Sequence, residues 1–391
     1  MKTLLIRNGR VLLPGGQLAP AQVLIENGRI VAIDKNARHA AAVLDAAGGY
    51  VLPGLIDLHT HGIGTDSTET ALADFAAQEA RCGATAFVPT FFGPPEHSAH
   101  LMGRHRRETD ELRQLPQVVG FRLESPYLAQ TGGGLNKDIV PISDQTTDLL
   151  LEAAGGHLKI WDISPEIPHA VPLIRRLTQA GIICSLAHTC ASIDQARAAV
   201  DAGARLVTHL FDTFLLPEFH DPGVYPAGLT DYLLLEDRVT CEIIPDGTHV
   251  HPLLVEKSFR CKPANRLIFV TDSNNGAGLP PGEYTLPRGW GRVRIAGPND
   301  GVRMIEPDNA KRNNALCGSA LTPIDGFRNA VRLFGKSLAD ASRVCSANPA
   351  ELLGLNKGVL APGRDGDVLV LDQELNILYT IVAGTVAHGR D

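Results

Sequence analysis

Six side chains able to bind a metal ion fall, one after another along the chain, where an apolar run ends. His59 and His61 close VLPGLIDLHTHG (51–62), Glu124 closes QVVGFRLE, His188 closes IICSLAH, His209 closes ARLVTH and Asp272 closes RLIFVTD. Alternate side chains of a strand share a face, so an H-x-H at a strand end aims two imidazoles at one place. Neutral imidazole is the commonest protein ligand for zinc-like metals. A bare H-x-H is a weak signal. Five strand ends drawing ligand-type residues from a chain with only 14 histidines make a strong one. The set mixes nitrogen and oxygen donors, as a hydrolytic centre needs when it keeps a position open for water and substrate. Such an ion lowers the pKa of water from ~15.7 to about 7 and polarises a carbonyl. Asp272, at the last strand end, suits a general base that takes the water proton and returns it to a leaving nitrogen. His59 and His61 leave room for a second ion.

The elements that must hold these residues follow from the same apolar runs. Counting from residue 51, eight strands appear, each followed by a helix or a long loop. Their ends include, besides those above, Asp246 and His249 after VTCEIIPDGTH. Regular strand–helix alternation without a glycine-rich dinucleotide loop predicts a (β/α)8 TIM barrel, whose sites lie at the C-terminal ends of the strands. Helices are expected over 67–82, 96–115, 143–154, 167–180, 191–202, 251–260, 322–334 and 337–346. Residues 275–316, rich in Gly and Pro, read as a loop excursion with strand-like pieces. LLIRNGRVLL and VLIENGRIVAI each carry Asn-Gly between β-forming flanks, a hairpin signal. With β character returning over 358–391, both chain ends are expected to form a small β-sandwich. The predicted domains are therefore 1–50 with 352–391, and a hydrolase barrel over 51–351.

Composition narrows the partners. The chain has 391 residues, 44% hydrophobic and 20% charged, with a net charge of -7. That balance, with no dense Lys/Arg run, argues against nucleic acid. No stretch reaches the ~20 apolar residues of a membrane span. The opening MKTLLIRNGRVLL is broken by Arg7, Asn8 and Arg10, unlike a signal peptide, so a cytoplasmic protein is expected. The seven cysteines show no paired spacing and read as reduced thiols.

Several motifs in order also match a known family. PGLIDLHTHG (53–62), GATAFVPT (83–90), LESPYL (123–128), AHT (187–189), THLF (208–211), DGTHV (246–250), VTDS (270–273), LCGSALT (316–322) and GRDGDVLVLD (363–372) resemble the amidohydrolase superfamily. Within it, the chain is most similar to the N-acetylglucosamine-6-phosphate deacetylases. The resemblance implies a metal-dependent deacetylase acting on a linear amide of a small N-acylated amino sugar, with Zn2+ or another divalent metal, one or two ions. It makes Glu124, His188 and His209 ligands of the main metal, Asp272 the general base and acid, and His249 a substrate contact that orients the amide. His59 and His61 match the H-x-H that supports a second metal in some members. A homodimer is expected, as is common in the family.

The match breaks around the pocket. Where the family continues THLF with Asn-Ala and places an Arg before a Pro-Gly, this chain has Asp212, Thr213 and His220. TGGGLNKD (131–138) likewise replaces the usual Lys-Lys-Gly-Ala-His type of segment. A carboxylate is a poor phosphate partner and His a weaker one than bidentate Arg. Asp212, Thr213 and His220 are therefore read as substrate-binding positions with altered phosphate contacts, beside His249; the other reading of Asp212 is a structural residue pointing away, with other groups binding phosphate. The alternatives are a deacylase of an unphosphorylated N-acyl amino acid or other N-acyl compound, and a barrel scaffold without catalysis. A cyclic-amide hydrolase fits less well, because Glu124 stands where those enzymes carry a carboxylated Lys. Gly132–Gly134 suggest either an active-site loop or a plain turn, and Trp161 and Trp290 could line a sugar pocket. Glu166 and His251 are expected just outside the site.

Overall fold

The computed structural model describes residues 2–36, 39–133, 138–214, 222–286, 291–310 and 312–389. Eight parallel strands form the barrel: Leu55–Thr60 (β1), Ala84–Phe91 (β2), Phe121–Leu123 (β3), Leu158–Ile163 (β4), Ile183–Leu186 (β5), Leu206–Val207 (β6), Thr240–Ile243 (β7) and Leu267–Phe269 (β8). Each pairs with the next in chain order. Between β8 and β1 the ring closes where Thr60 bridges Ser273 in the parallel sense and the Asp272 N–H donates to the His59 carbonyl at 2.8 Å. Thr271 Oγ1 tightens the same seam by donating to Asp57 Oδ2 at 2.6 Å. This is the (β/α)8 architecture read from the strand–helix alternation.

Helices cover the outside of the barrel. Ser143 and Ser192 cap Asp144–Ala154 and Ile193–Asp201, Ser192 as part of a capping box with Gln195. The helix expected over 67–82 begins only at Leu72, because Gly62–Ile63 and Asp66–Ser67 first pair as a small antiparallel hairpin. The helix expected to reach 115 ends at Glu108, where Asp110, Glu111 and Leu112 turn to φ 47°, 53° and 63°. A short helix, Leu229–Leu235, stands between β6 and β7, where the reading above placed none.

Strands from both chain ends build a second, eight-stranded sheet. Its order is Thr385–Gly389, Ile377–Val382, Val368–Leu371, Tyr50–Pro53, Thr3–Leu12, Leu18–Glu26 and Arg29–Asp34, with Ala42–Asp45 also paired to Thr3–Leu12. Ile6, Val11, Val23, Ile25, Val51, Val368, Val370 and Ile381 form its separate core. The two Asn-Gly pairs differ. Asn27-Gly28 makes the expected turn between Leu18–Glu26 and Arg29–Asp34. Asn8-Gly9 instead lies inside one strand as an irregularity of register, with Asn8 at φ 57°. There the strand changes its parallel partner from Ala42–Asp45 to Tyr50–Pro53, and a Cβ on Gly9 would stand 2.4 Å from Val51 Cγ2. The excursion after β8 is a three-stranded antiparallel sheet, Gly282–Leu286, Gly291–Ile295 and Arg303–Ile305, with an apolar cluster of its own.

The barrel interior is layered, and the layers place the site. Ala86, Val88, Ile160, Ile183, Leu206 and Ile268 form an apolar floor. Two residues further along their strands come polar groups: Asp162 after Ile160, Ser185 after Ile183, Thr208 after Leu206. Arg122 on β3 gathers this layer. Nε donates to Asp162 at 3.1 Å, Nη1 to Glu242 at 2.7 Å and to the Leu58 carbonyl at 3.0 Å, and Nη2 to Glu242 at 2.9 Å and Thr208 at 3.0 Å. All five guanidinium protons are used, so this fully buried cation is neither unpaired nor unsatisfied.

Candidate metal centre and pocket

One step above Arg122, Glu124 stands at the centre of the predicted constellation. Its two oxygens face different histidines. Oε1 lies 2.9 Å from His188 Nε2 and 3.2 Å from His209 Nε2. Oε2 lies 2.9 Å from His61 Nε2 and 3.4 Å from His59 Nε2. Asp272 Oδ1 is 3.4 Å from His59 Nε2 and 3.3 Å from His61 Nε2. All six residues predicted from strand ends thus meet in one place. His188, His209 and Asp272 turn out of their strands in the left-handed region, at φ 46°, 28° and 48°. Non-glycine residues adopt that region at a cost of about 1–2 kcal/mol, a local strain that the surrounding barrel holds.

The donor set fits a divalent cation on its own chemistry. His61 Nδ1 sits 3.0 Å from the Thr90 carbonyl, which can only accept, so a neutral His61 turns the lone pair of Nε2 toward the carboxylates. Ligand atoms about 2.0–2.1 Å from a tetrahedral ion stand about 3.3 Å from each other. The contacts here span 2.9–3.4 Å. Groupings of His59, His61 and Asp272, and of His59, Glu124 and His209, each present ligand atoms within 4.8 Å of one another.

Electrostatics say the same. Burial pushes His59 down, and Arg122 adds to this, yet the Glu124 and Asp272 carboxylates outweigh both and hold the ring at about 10. Burial also works against His209, which its bond to Glu124 and the nearby Asp212 and Asp272 keep at about 9. Burial would raise Asp272, but His59 and His61 hold its carboxyl down at about 2. Glu124 is likewise kept well below the usual carboxylate range against its burial, by His59 and His61 first. The carboxylates attract positive charge to the point where the ring nitrogens converge, the place a cation would take.

A pocket of about 230 Å³ opens on this cluster. Asp272, His249, Asp212 and Thr213 share its wall with Gly132, Gly133 and the segment 315–318 that follows the small sheet. His249 is fixed by Asp246, whose Oδ2 accepts from Nδ1 at 2.6 Å while Oδ1 accepts the His249 N–H at 2.8 Å. Burial lowers His249, and Asp246 more than offsets it. Glu166 holds the turn after His188, accepting from Thr189 Oγ1 at 2.6 Å and from the Cys190 N–H at 2.5 Å. His251 instead caps the helix Pro252–Cys261, away from the pocket. Trp161 lies in the core, stacked on Tyr127 at 5.4 Å. His220, Trp290 and Gly134 lie outside the described residues.

Strand-end reading does not single out Arg122, Asp162 and Glu242, which support the site from below. Their signal was the two-residue period: Arg122 precedes Glu124 on the same inward face. Asp246 was noted at its strand end, and its bond to His249 supplies the role.

Comparison with known proteins agrees with this geometry. The model of the Amidohydrolase family matches residues 50–387. An N-acetylglucosamine-6-phosphate deacetylase of Lysinibacillus sphaericus is 29% identical, covering 98% of this chain and 97% of that one. An N-acetylgalactosamine-6-phosphate deacetylase of Escherichia coli O157:H7 is 30% identical over 98% of this chain and 99% of its own. The crystal structure of N-acetyl-D-glucosamine-6-phosphate deacetylase from Mycobacterium smegmatis superposes with a TM-score of 0.84 at 28% identity, covering 99% of this chain and 100% of that one. With nearly its whole length matched and its ligand-type residues gathered at the strand ends, the chain belongs to the amidohydrolase family.

Proposed function

We propose that the protein is a metal-dependent deacetylase that hydrolyses the amide of an N-acetylated amino sugar. The observation that carries this reading is the division of Glu124 between two pairs of histidines, with Asp272 alongside. Glu124, His188 and His209 would hold the main ion, and His59 and His61, with the other Glu124 oxygen, a second. Zinc suits these imidazole and carboxylate donors, and the ion's contribution when bound is Lewis acidity toward the acetyl carbonyl and toward water.

The chain's own residues do the rest. Asp272, held ionised, takes a proton from the water that attacks the carbonyl carbon. As the C–N bond breaks, it returns that proton to the nitrogen, leaving acetate and a free amine. His249, oriented by Asp246, presents its ring to the substrate from the pocket wall. Thr213 and Asp212 contact the amine half, and His220 is assigned to the same side. The reading goes with a hydrolase domain over 51–351, a cytoplasmic setting and a homodimer. Among the described residues, no helix is long and apolar enough to cross a membrane.

The test is acetate release from N-acetylglucosamine and its 6-phosphate by zinc-reconstituted protein, with N-acetyl amino acids in parallel. Turnover of a sugar that disappears on chelation and returns with zinc is the expected result. Turnover of amino acids alone would replace the sugar reading, and a protein that binds no metal would overturn it.

A further inference from the structure

Asp212 puts a carboxylate on the pocket wall beyond those that the histidine cluster already pairs. It shares that wall with Glu124 and Asp272, and ligand-type atoms of His209, Asp212 and Asp272 lie within 4.8 Å of one another. The Asp212 carboxylate is not a loose surface group. Its N–H donates to the His209 carbonyl at 3.0 Å, its neighbours Phe211 and Thr213 are turned to φ 83° and 56°, and Gln130 Nε2 donates to the Thr213 carbonyl at 2.5 Å. Its Oδ2 reaches only to 4.0 Å from His209 Nδ1, leaving the carboxylate able to accept from a ligand. Among the described residues that line the pocket, histidines are the only side chains able to carry positive charge. Arg312, which donates to the Gly133 carbonyl at the pocket loop, directs its Nε at Glu306.

A dianionic phosphate beside the Asp212 carboxylate would meet repulsion in a partly desolvated pocket, whereas a carboxylate accepts strongly from hydroxyl donors. We infer that the substrate is an unphosphorylated N-acetyl amino sugar whose hydroxyl donates to Asp212, and that Asp212 is the residue that excludes the 6-phosphate. The inference rests on the deacetylase reading above and departs from the 6-phosphate substrates for which the relatives are named.

The experiment compares kcat/KM for N-acetylglucosamine, N-acetylgalactosamine and their 6-phosphates in the wild type, Asp212→Asn and Asp212→Glu, with bound metal and melting temperature recorded. The wild type and the Glu variant should prefer the unphosphorylated sugars. Asn should shift the ratio toward the phosphosugars by about tenfold or more. Inorganic phosphate should inhibit the Asn variant more tightly than the wild type. A wild type that prefers the phosphosugars overturns the inference, as does an unmoved ratio in a folded, metal-loaded Asn variant. If Asn does not fold, the wild-type preference decides. No turnover of any of the four sugars by metal-loaded protein overturns the deacetylase reading itself, and this inference with it.

Discussion

Arg122 grips both oxygens of Glu242, at 2.7 and 2.9 Å, directly beneath the histidines of the candidate metal centre. Neither residue is exposed, and Asp162 completes the group at 3.1 Å. Breaking a buried ion pair from one side leaves an uncompensated charge, which costs about 3–5 kcal/mol. Arg122→Met should therefore destabilise the protein by about that amount, read as a lower urea midpoint. Arg122→Lys should recover only part, since an ammonium cannot reproduce the five-donor fork. A Met variant as stable as the wild type would mean that the layer is not held by this cation.

The same pair sets an acid dependence. Burial would raise Glu242, but Arg122 outweighs it and holds the carboxyl at about 2, below the ordinary 4.5. A depressed carboxylate contributes stability above its unfolded pKa and loses it as pH falls through the folded one. The urea midpoint of the wild type should thus drop between about pH 4.5 and 2. In Arg122→Met the drop should be smaller, because Glu242, keeping His59 but losing Arg122, would take up its proton at a higher pH.

The contrast between Glu124 and Glu242 explains how much could be read in advance. Glu124, the histidines and Asp272 end apolar runs, and a polar residue that stops a strand stands out against what precedes it. Arg122, Asp162 and Glu242 sit inside such runs, where a lone charge reads as solvent-facing because burial is a tertiary property. Only the inward face shared by Arg122 and Glu124 betrays it. Asn8-Gly9 failed for the reverse reason: its local signal is that of a turn, but Thr3–Leu12 needs a kink there to serve two parallel partners, and tertiary pairing prevailed. Asp212 was legible as a departure, while its distance from Asp272 was not, since the turn that presents it is set by the positive φ of Phe211 and Thr213.

Asp272→Asn removes the proposed proton acceptor while keeping the shape of the side chain. General acid–base groups contribute about 10²–10⁴-fold, so kcat should fall within that range with little change in KM. Metal content, measured by inductively coupled plasma, should stay close to that of the wild type, because Glu124, His188 and His209 remain. Loss of metal in proportion to activity would instead make Asp272 primarily a ligand.

Gly132 takes φ +56°, and a Cβ there would stand 2.8 Å from Thr213 Cγ2 and 3.0 Å from His188 Cε1. Gly132→Ala therefore combines backbone strain of about 1–2 kcal/mol with a collision against two pocket residues. The loop should yield before the barrel does. The expected result is a kcat/KM reduced about tenfold, equivalent to about 1.4 kcal/mol, with the melting temperature nearly unchanged. A large drop in melting temperature with normal kcat/KM would show that the loop packs for stability and does not shape the pocket.

Glu166 lies outside the candidate metal centre, yet both of its oxygens are committed to the two residues that follow His188. Glu166→Gln keeps an acceptor for the Cys190 N–H and reverses the bond to Thr189, its amide NH2 donating to Oγ1, so two charge-assisted bonds become weaker neutral ones. The turn that sets His188 at φ 46° is then less well held. Groups that orient a ligand from behind typically change metal affinity by 10–100-fold when altered, and for two bonds weakened but kept about tenfold is expected. Chelator competition reads this directly. The melting temperature of the metal-free protein should barely move, whereas that of the metal-loaded protein should fall, because weaker binding contributes less to the folded state. If both forms lose stability equally and the affinity for zinc is unchanged, Glu166 is a fold residue and does not position His188.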